Sequence, residues 1–116
     1  MHTYLLLLHE TPADYAGMSP AEMEAIIQSH WAFAQSLSAR GLRVGGEKLC
    51  DDGGRHLRRQ GSQIVASDGP YAEAHDVIGG FYMIKAADDA EAERIARECP
   101  HYAGRQWVEV RRVDPV

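Results

Sequence analysis

Three residues of this sequence are candidates for a site that carries out proton transfer: His30, Glu47 and Asp68. A neutral imidazole can accept a proton near neutral pH, and a carboxylate within hydrogen-bond reach can orient it and stabilise its charged form. Such a pair suits proton abstraction next to a carbonyl or phenol, isomerisation, or elimination of HX. We therefore take His30 as the candidate base and Asp68 as the group that orients it.

His30 interrupts the apolar stripe of a predicted helix. The segment Ser19–Glu22 predicts the start of this helix, with Ser19 as N-cap, proline in the first turn and a capping box, and Arg40-Gly41 predicts its end. The other members of the stripe recur at helical spacing: Met23, Ile26, Ile27, Phe33, Ala34 and Leu37. A histidine in such a stripe is either a site residue or a hydrogen-bonded core residue, and the pattern permits both.

Asp68 is predicted at the end of a strand, directly before Gly69-Pro70. Aspartate before such a pair often marks only a turn. A turn that starts at Asp68 would put Pro70 at its third position, which a type I turn disfavours and which otherwise requires a cis peptide. We therefore expect the tight turn to start one residue later, with Asp68 as an acceptor at the strand terminus.

Glu47 follows two glycines, Gly45 and Gly46, inside a predicted strand over 42–49. Paired glycines in a strand indicate a bulge or a close approach to the backbone. One interpretation is a bulge with Glu47 facing solvent. The other places Glu47 at the rim of a pocket that the glycines open.

Aromatic side chains could hold a small aromatic substrate against the candidate base. Its ring is expected to lie between Trp31, Tyr71 and Tyr82, and Glu47 or Tyr71 is expected to fix its polar edge. These four residues are the predicted substrate-binding set.

The order of predicted elements indicates an α+β fold. Strands over 4–8, 42–49, 81–85 and 106–113 alternate with helices that begin near residues 20 and 89, in the βαββαβ order of ferredoxin-like domains. A hairpin over 56–67 precedes Asp68. The continuous apolar run Tyr4–Leu8 predicts burial on both faces of an antiparallel sheet. Because helices cover one face, we expect a second copy of the chain to cover the other, giving a symmetric homodimer.

The composition describes one domain spanning residues 1–116 with a net charge of −5. A chain of this charge lacks the basic field that nucleic acids require. Its N-terminal apolar run is too short for a membrane span and has no basic leader. Cys50 and Cys99 are isolated from each other in sequence, which favours reduced thiols and a cytoplasmic protein.

Other site chemistries find little support in the sequence. No serine or cysteine lies in a nucleophile motif. The six histidines have neither His-x-His nor His-Glu-x-x-His spacing, and the paired glycines make no nucleotide-binding fingerprint. We therefore expect no metal and no organic cofactor, and a small molecule as the ligand.

Four segments together resemble the YCII-related family, specifically its DGPF branch: Leu42–Glu47, Asp68–Glu73, Ile78–Ile84 and Val108–Arg111. The resemblance covers essentially the whole chain. It implies a ferredoxin-like fold that dimerises through open sheet faces into an α+β barrel, with a pocket lined by the helix-one histidine and an aspartate. In this chain, those positions correspond to His30 and Asp68.

The resemblance also bears on function. Some relatives act as dehydrochlorinases of chlorinated aromatics, which implies a cofactor-independent lyase or isomerase. Others occur beside or fused to alternative sigma factors, which implies a non-catalytic binding or regulatory module. The chain departs from the family pattern at Tyr71, His75 and Arg112, where phenylalanine, lysine and proline are usual. These departures bear on substrate identity.

Overall fold

The computed structural model describes residues 1–51, 53–68 and 76–116. Six strands and two α-helices make up this part of the chain, and a short 3₁₀ helix, Pro12–Tyr15, follows the first strand. In chain order the elements are β1 (His2–Glu10), α1 (Pro20–Ala39), β2 (Arg43–Lys48), β3 (Arg55–Gln60), β4 (Gln63–Asp68), β5 (Val77–Ala86), α2 (Asp89–Arg97) and β6 (Trp107–Arg112).

Four strands form an antiparallel sheet in the order β2-β5-β1-β6, so β1 and β5 are central. This arrangement confirms the ferredoxin-like α+β fold predicted from the order of elements. Strands β3 and β4 pair only with each other and form a separate two-stranded sheet. In sequence, the hairpin is thus an insertion between β2 and β5, which are neighbours in the main sheet.

Both ends of α1 form as their sequence predicts. The Ser19 hydroxyl accepts from the Glu22 backbone N–H at 3.1 Å, and the Glu22 carboxylate accepts from the Ser19 N–H at 3.2 Å. This capping box satisfies two backbone donors that a helix start leaves without intrahelical partners. After the helix, Gly41 has φ +69°, a left-handed conformation that glycine adopts without a Cβ clash.

Helix α2 begins after Asp88, whose side chain accepts from the Glu91 backbone N–H at 2.9 Å. Acidic residues in its first turn and arginines in its last complement the helix dipole. An ion pair from Arg40 to Glu98, 2.8 Å between Nη1 and Oε1, joins the C-terminal ends of α1 and α2. Neither helix combines the length and apolarity that a membrane span would need.

The core lies between the sheet and the two helices. Strand β1 alternates: Tyr4, Leu6 and Leu8 are buried on the helix side, whereas Leu5 and Leu7 are only half-buried on the opposite face. The predicted burial of β1 on both faces is therefore not complete within one chain. Strand β5 adds Tyr82, Ile84 and Ala86 to this core, and the helices contribute Phe33, Leu37, Ala92, Ile95 and Ala96.

Strand β5 begins at Val77, earlier than the entry after Gly79-Gly80 that the sequence suggested. The pairing with β1 shifts register between Leu8, opposite Gly80, and His9, opposite Ile78, which leaves Gly79 as an extra residue. The two glycines thus form a bulge inside the strand. The bulge brings the backbone of Gly79 against the Glu10 side chain.

The two cysteines differ in their surroundings. Cys50 is exposed after β2, whereas Cys99 is buried after α2. Burial raises the pKa of the Cys99 thiol to about 12. Both are free thiols, as their isolation in the sequence suggested.

Candidate functional site

A cavity of about 600 Å³ lies between α1 and the β2 side of the sheet. This volume suits a small organic ligand. Most of its wall is apolar, with contributions from α1, β1 and β5, and its polar lining side chains include Glu10, Tyr15, His30, Tyr82 and His101. Charged residues around its β2 side include Arg43, Glu47, Lys48 and Asp51.

His30 projects from α1 and is fixed by Tyr82 on β5. The His30 Nδ1 lies 2.8 Å from the Tyr82 hydroxyl, which in turn lies 3.4 Å from the backbone carbonyl of His30. Both contacts are satisfied together when Nδ1–H donates to the phenol oxygen and the phenol O–H donates to the carbonyl. In that tautomer Nε2 keeps its lone pair and can accept a proton.

The environment keeps the His30 imidazole uncharged at neutral pH. Burial, and secondarily the neighbouring His101, lowers the pKa of His30 below its ordinary value. A neutral imidazole is the form that can act as a general base. The apolar surroundings of the ring therefore favour the reactive protonation state.

Tyr82 is itself held in place from two sides. The Phe33 ring meets it edge to face, with 5.0 Å between centroids. Across the sheet, a Cβ on Gly46 would lie 2.9 Å from the Phe81 carbonyl oxygen and 3.0 Å from the Tyr82 ring, so the glycine permits the close approach. Burial raises the pKa of Tyr82 to about 12, so its phenol stays protonated.

Glu10 is a buried carboxyl at the end of β1. A Cβ on Gly79 would overlap the Glu10 carboxylate, so the lack of a side chain at Gly79 leaves room for the Glu10 carboxyl. Its Oε1 accepts from the Tyr15 hydroxyl at 3.1 Å, and Tyr15 accepts from the Gln106 side chain at 2.9 Å. Burial raises the pKa of Glu10, which favours the protonated acid.

His101 follows α2 and packs beside both Glu10 and His30. Its Nε2 lies 2.9 Å from the backbone carbonyl of His9 and 3.9 Å from Glu10 Oε1. Its ring meets His30 edge to face, with 5.8 Å between centroids. Burial lowers the pKa of His101, so this imidazole is also neutral at pH 7.

The structure brings four of the predicted site residues to the cavity: His30, Tyr82, Trp31 and Glu47. Trp31 is 62% exposed on α1, and Glu47 is exposed on β2 while also lining the cavity. The strand around Glu47 shifts register between Arg43 and Gly45, as the bulge interpretation requires. The region thus has features of both interpretations of the paired glycines, a bulge with an exposed Glu47 and a pocket with Glu47 at its rim.

Asp68 has other surroundings. Its carboxylate is 88% exposed at the end of β4, ion-pairs with Arg55 across the hairpin, and is not among the cavity-lining side chains. In the described part of the chain, the His30 ring hydrogen-bonds to Tyr82. An orienting role for Asp68 stays a prediction. Tyr71, the remaining predicted ligand-binding residue, lies outside the described residues.

The cavity residues that were not predicted from the sequence include two buried titratable groups, Glu10 and His101. The signal for Glu10 was present, because strand periodicity puts it on the same face as the buried Tyr4, Leu6 and Leu8. No comparable pattern marks His101, whose position depends on the turn after α2. Among the described residues, no group of three His, Cys, Asp or Glu side chains is placed to hold a metal ion.

The two cavity histidines predict how stability depends on pH. Their folded pKa values lie below 6.5, which the unfolded chain retains, so below that pH the unfolded state binds more protons. Stability is therefore expected to fall as the pH drops from about 7.5 to about 5.5. Urea unfolding midpoints should show this loss, and His101→Asn should make it shallower.

Glu10 acts in the opposite direction and provides the control. Its folded pKa lies above its ordinary value of 4.5, so protonation of Glu10 favours the folded state as the pH falls through that folded value. Glu10→Gln removes this gain and should leave a steeper loss on acidification. A Glu10→Gln midpoint that is flat across the range would contradict the assignment of two neutral buried imidazoles.

Comparison with known proteins agrees with this fold. No curated protein matches the chain. The sequence model of the YCII-related domain matches residues 2–116, nearly the full length. The ferredoxin-like sheet and the matched residues thus describe the same unit. The chain belongs to the YCII-related domain family.

Proposed function

We propose that the cavity binds a small, mainly apolar compound with an aromatic or carbonyl group, and that His30 removes or transfers a proton on it. The supporting observation is a neutral imidazole, fixed by the Tyr82 hydroxyl, in the wall of an apolar cavity of about 600 Å³. The reaction class is proton abstraction, isomerisation or HX elimination. It needs no organic cofactor, because imidazole and substrate together supply the proton acceptor and donor.

Each group has a defined part in this proposal. His30 Nε2 accepts the proton, while Tyr82 holds the ring through Nδ1 and so keeps one tautomer. Trp31 provides an aromatic surface for the substrate. Because Tyr82 stays protonated, its role is to position the base rather than to accept the proton.

Solvent-proton exchange tests the proposal directly. Phenol, acetophenone and cyclohex-2-enone, incubated with the protein in deuterated buffer, should gain deuterium at carbon positions that exchange slowly without it. NMR detects the incorporation, and heat-unfolded protein is the control for buffer catalysis. If the folded protein gives the buffer rate for every compound, proton transfer on this class is rejected.

A non-catalytic binding module is the second candidate, and the partner of His30 favours it. That partner is a neutral phenol, and among the described residues no carboxylate hydrogen-bonds to His30 to stabilise an imidazolium, as a strong base would require. In this function the cavity holds a ligand that emerges unchanged and stabilises the fold by mass action. A regulatory role of this kind would agree with the relatives associated with alternative sigma factors.

A homodimer is proposed on the basis of the uncovered face of the main sheet. Cross-strand pairing places Leu5 opposite Met83 and Leu7 opposite Phe81, which forms an apolar strip that neither described helix covers. A sheet with one apolar face uncovered buries it against another layer in stable domains. A second copy of the chain supplies that layer with the same chemistry.

The β3–β4 hairpin, residues 55–68, gives a second reason for a dimer. All of β4 is exposed, and Leu57 and Ile64, on one face of the hairpin, are 65% and 59% exposed. A lone two-stranded hairpin is marginally stable in water. The radius of gyration is 16.1 Å, against about 13 Å for a compact chain of this length.

The charge of this hairpin supports contact with the body of a second copy of the chain. It carries Arg55, Arg58 and Arg59 and a single carboxylate, whereas the whole chain has a net charge of −5. A basic arm on an otherwise acidic protein is complementary to the body of a second copy. We infer that Leu57 and Ile64 pack on the partner protomer, with the arginines near its acidic side chains.

A further inference from the structure

The His101 imidazole ends in a buried atom that the fold leaves without a hydrogen-bond partner. The side chain is only 3% exposed. Its Nε2 lies 2.9 Å from the His9 carbonyl oxygen, which can only accept, so Nε2 carries the ring proton. A neutral imidazole has one N–H, which leaves Nδ1 as an acceptor.

No donor meets this acceptor in the described part of the chain. His101 Nδ1 is the one buried side-chain nitrogen or oxygen there without a partner. Buried polar atoms are nearly always satisfied, so an exception calls for a group from outside the chain. His101 is also a wall residue of the cavity, and although Nδ1 itself is buried, a bound molecule that moves its neighbours aside would supply that group.

The neighbouring carboxyl narrows the chemistry of that molecule. Glu10 Oε1 lies 3.9 Å from His101 Nε2, and Glu10 lines the same part of the cavity. A ligand carboxylate would offer His101 no proton and would face a second carboxyl in a site with little water. A hydroxyl group can donate to His101 Nδ1 and brings no negative charge beside Glu10.

We propose that the His101 end of the cavity recognises a neutral hydroxyl group on an apolar body, whose O–H donates to His101 Nδ1. The inference rests on the proposed function in that the cavity is taken as a ligand site. It selects alcohols and phenols over carboxylate-bearing compounds such as keto acids. The His30 and His101 rings meet edge to face with 5.8 Å between centroids, so the base and the proposed recognition residue are direct neighbours in the cavity wall.

Three probes that share a benzene ring test this recognition: phenol, anisole and benzoate. Anisole keeps the ring and the oxygen but lacks the O–H, and benzoate presents a carboxylate. In NMR titrations of the full chain at about pH 7.5, phenol is expected to bind about 10-fold more tightly than anisole, with benzoate weakest. Equal affinities for phenol and anisole, or no binding of any probe below about 10 mM, would overturn the proposal.

His101→Phe should abolish the preference of phenol over anisole, whereas His2→Phe, a change of the same kind at an exposed position, should leave it intact. A preference that persists in His101→Phe overturns the proposal. If that variant does not fold, the ring-nitrogen NMR of wild type decides. The unprotonated Nδ1 resonance should move on addition of phenol and not of anisole, and the absence of this difference overturns the proposal.

The outcomes separate this inference from the proposed chemistry. A phenol preference without proton exchange on any probe leaves His101 as a recognition residue and rejects His30 as a catalytic base. Proton exchange without a phenol preference does the reverse. The two proposals concern the same cavity but different atoms, His101 Nδ1 for recognition and His30 Nε2 for proton transfer.

Discussion

His30→Gln is expected to lower the rate of catalysed proton exchange by about 10²- to 10⁴-fold, the usual contribution of a positioned general base. Glutamine can keep a hydrogen bond to the Tyr82 hydroxyl, but its amide does not accept a proton near neutral pH. Deuterium incorporation into the probe compounds, measured by NMR at equal protein concentration, gives the ratio of rates. Circular dichroism establishes that the variant is folded.

Two further variants show whether this loss is specific. His56→Gln changes a histidine of the hairpin, outside the cavity, and should leave the rate unchanged. Tyr82→Phe keeps the ring that packs on Phe33 and removes the hydroxyl that holds His30, so it should give an intermediate loss. If His30→Gln exchanges protons as fast as wild type, His30 is not the base, and the binding module becomes the better account.

Leu57→Asp combined with Ile64→Asp is expected to convert a dimer into a monomer. Apolar anchors at the centre of an interface contribute about 2 kcal/mol each, so two charged replacements should weaken association by about 10³-fold. Light scattering on the eluted protein should change from twice the single-chain mass to 12.8 kDa.

The matched control adds the same charge on the other face of the hairpin. Gln60 and Gln63 are paired and exposed there, and replacing both with aspartate should leave the dimer intact. A double Leu57/Ile64 variant that stays dimeric would show that the arm does not contribute to the interface. A monomeric wild type at all concentrations would reject the uncovered sheet face as a dimer surface as well.

Local signals in the sequence were sufficient for most of the fold. The capping box at Ser19 and the glycine at 41 fix α1 through contacts within a few residues, and both form as predicted. Strand alternation was harder to interpret at Tyr4–Leu8, because a row of leucines looks the same whether one face or two is buried. The sequence therefore identifies β1 but does not say what covers its outer face.

The site was less predictable because its geometry depends on residues far apart in sequence. His30 and Tyr82 were both candidates, but their hydrogen bond follows from the packing of α1 on β5. The predicted orienting residue, Asp68, lies on a hairpin that makes a separate sheet, where its exposed carboxylate ion-pairs with Arg55. A place near a strand end does not by itself determine which side chain a carboxylate meets. Glu10 and His101 owe their meeting to the bulge at Gly79 and the turn after α2.

The unequal burial of the two thiols makes this protein convenient for spectroscopy. A maleimide reacts with thiolate, and a buried thiol with a pKa of about 12 has almost none at neutral pH, so Cys99 is protected twice over. Cys50 is exposed and follows β2 at the side of the cavity, next to Asp51 in its wall. A fluorophore at Cys50 would therefore report ligand entry from a single defined position in the unmutated chain.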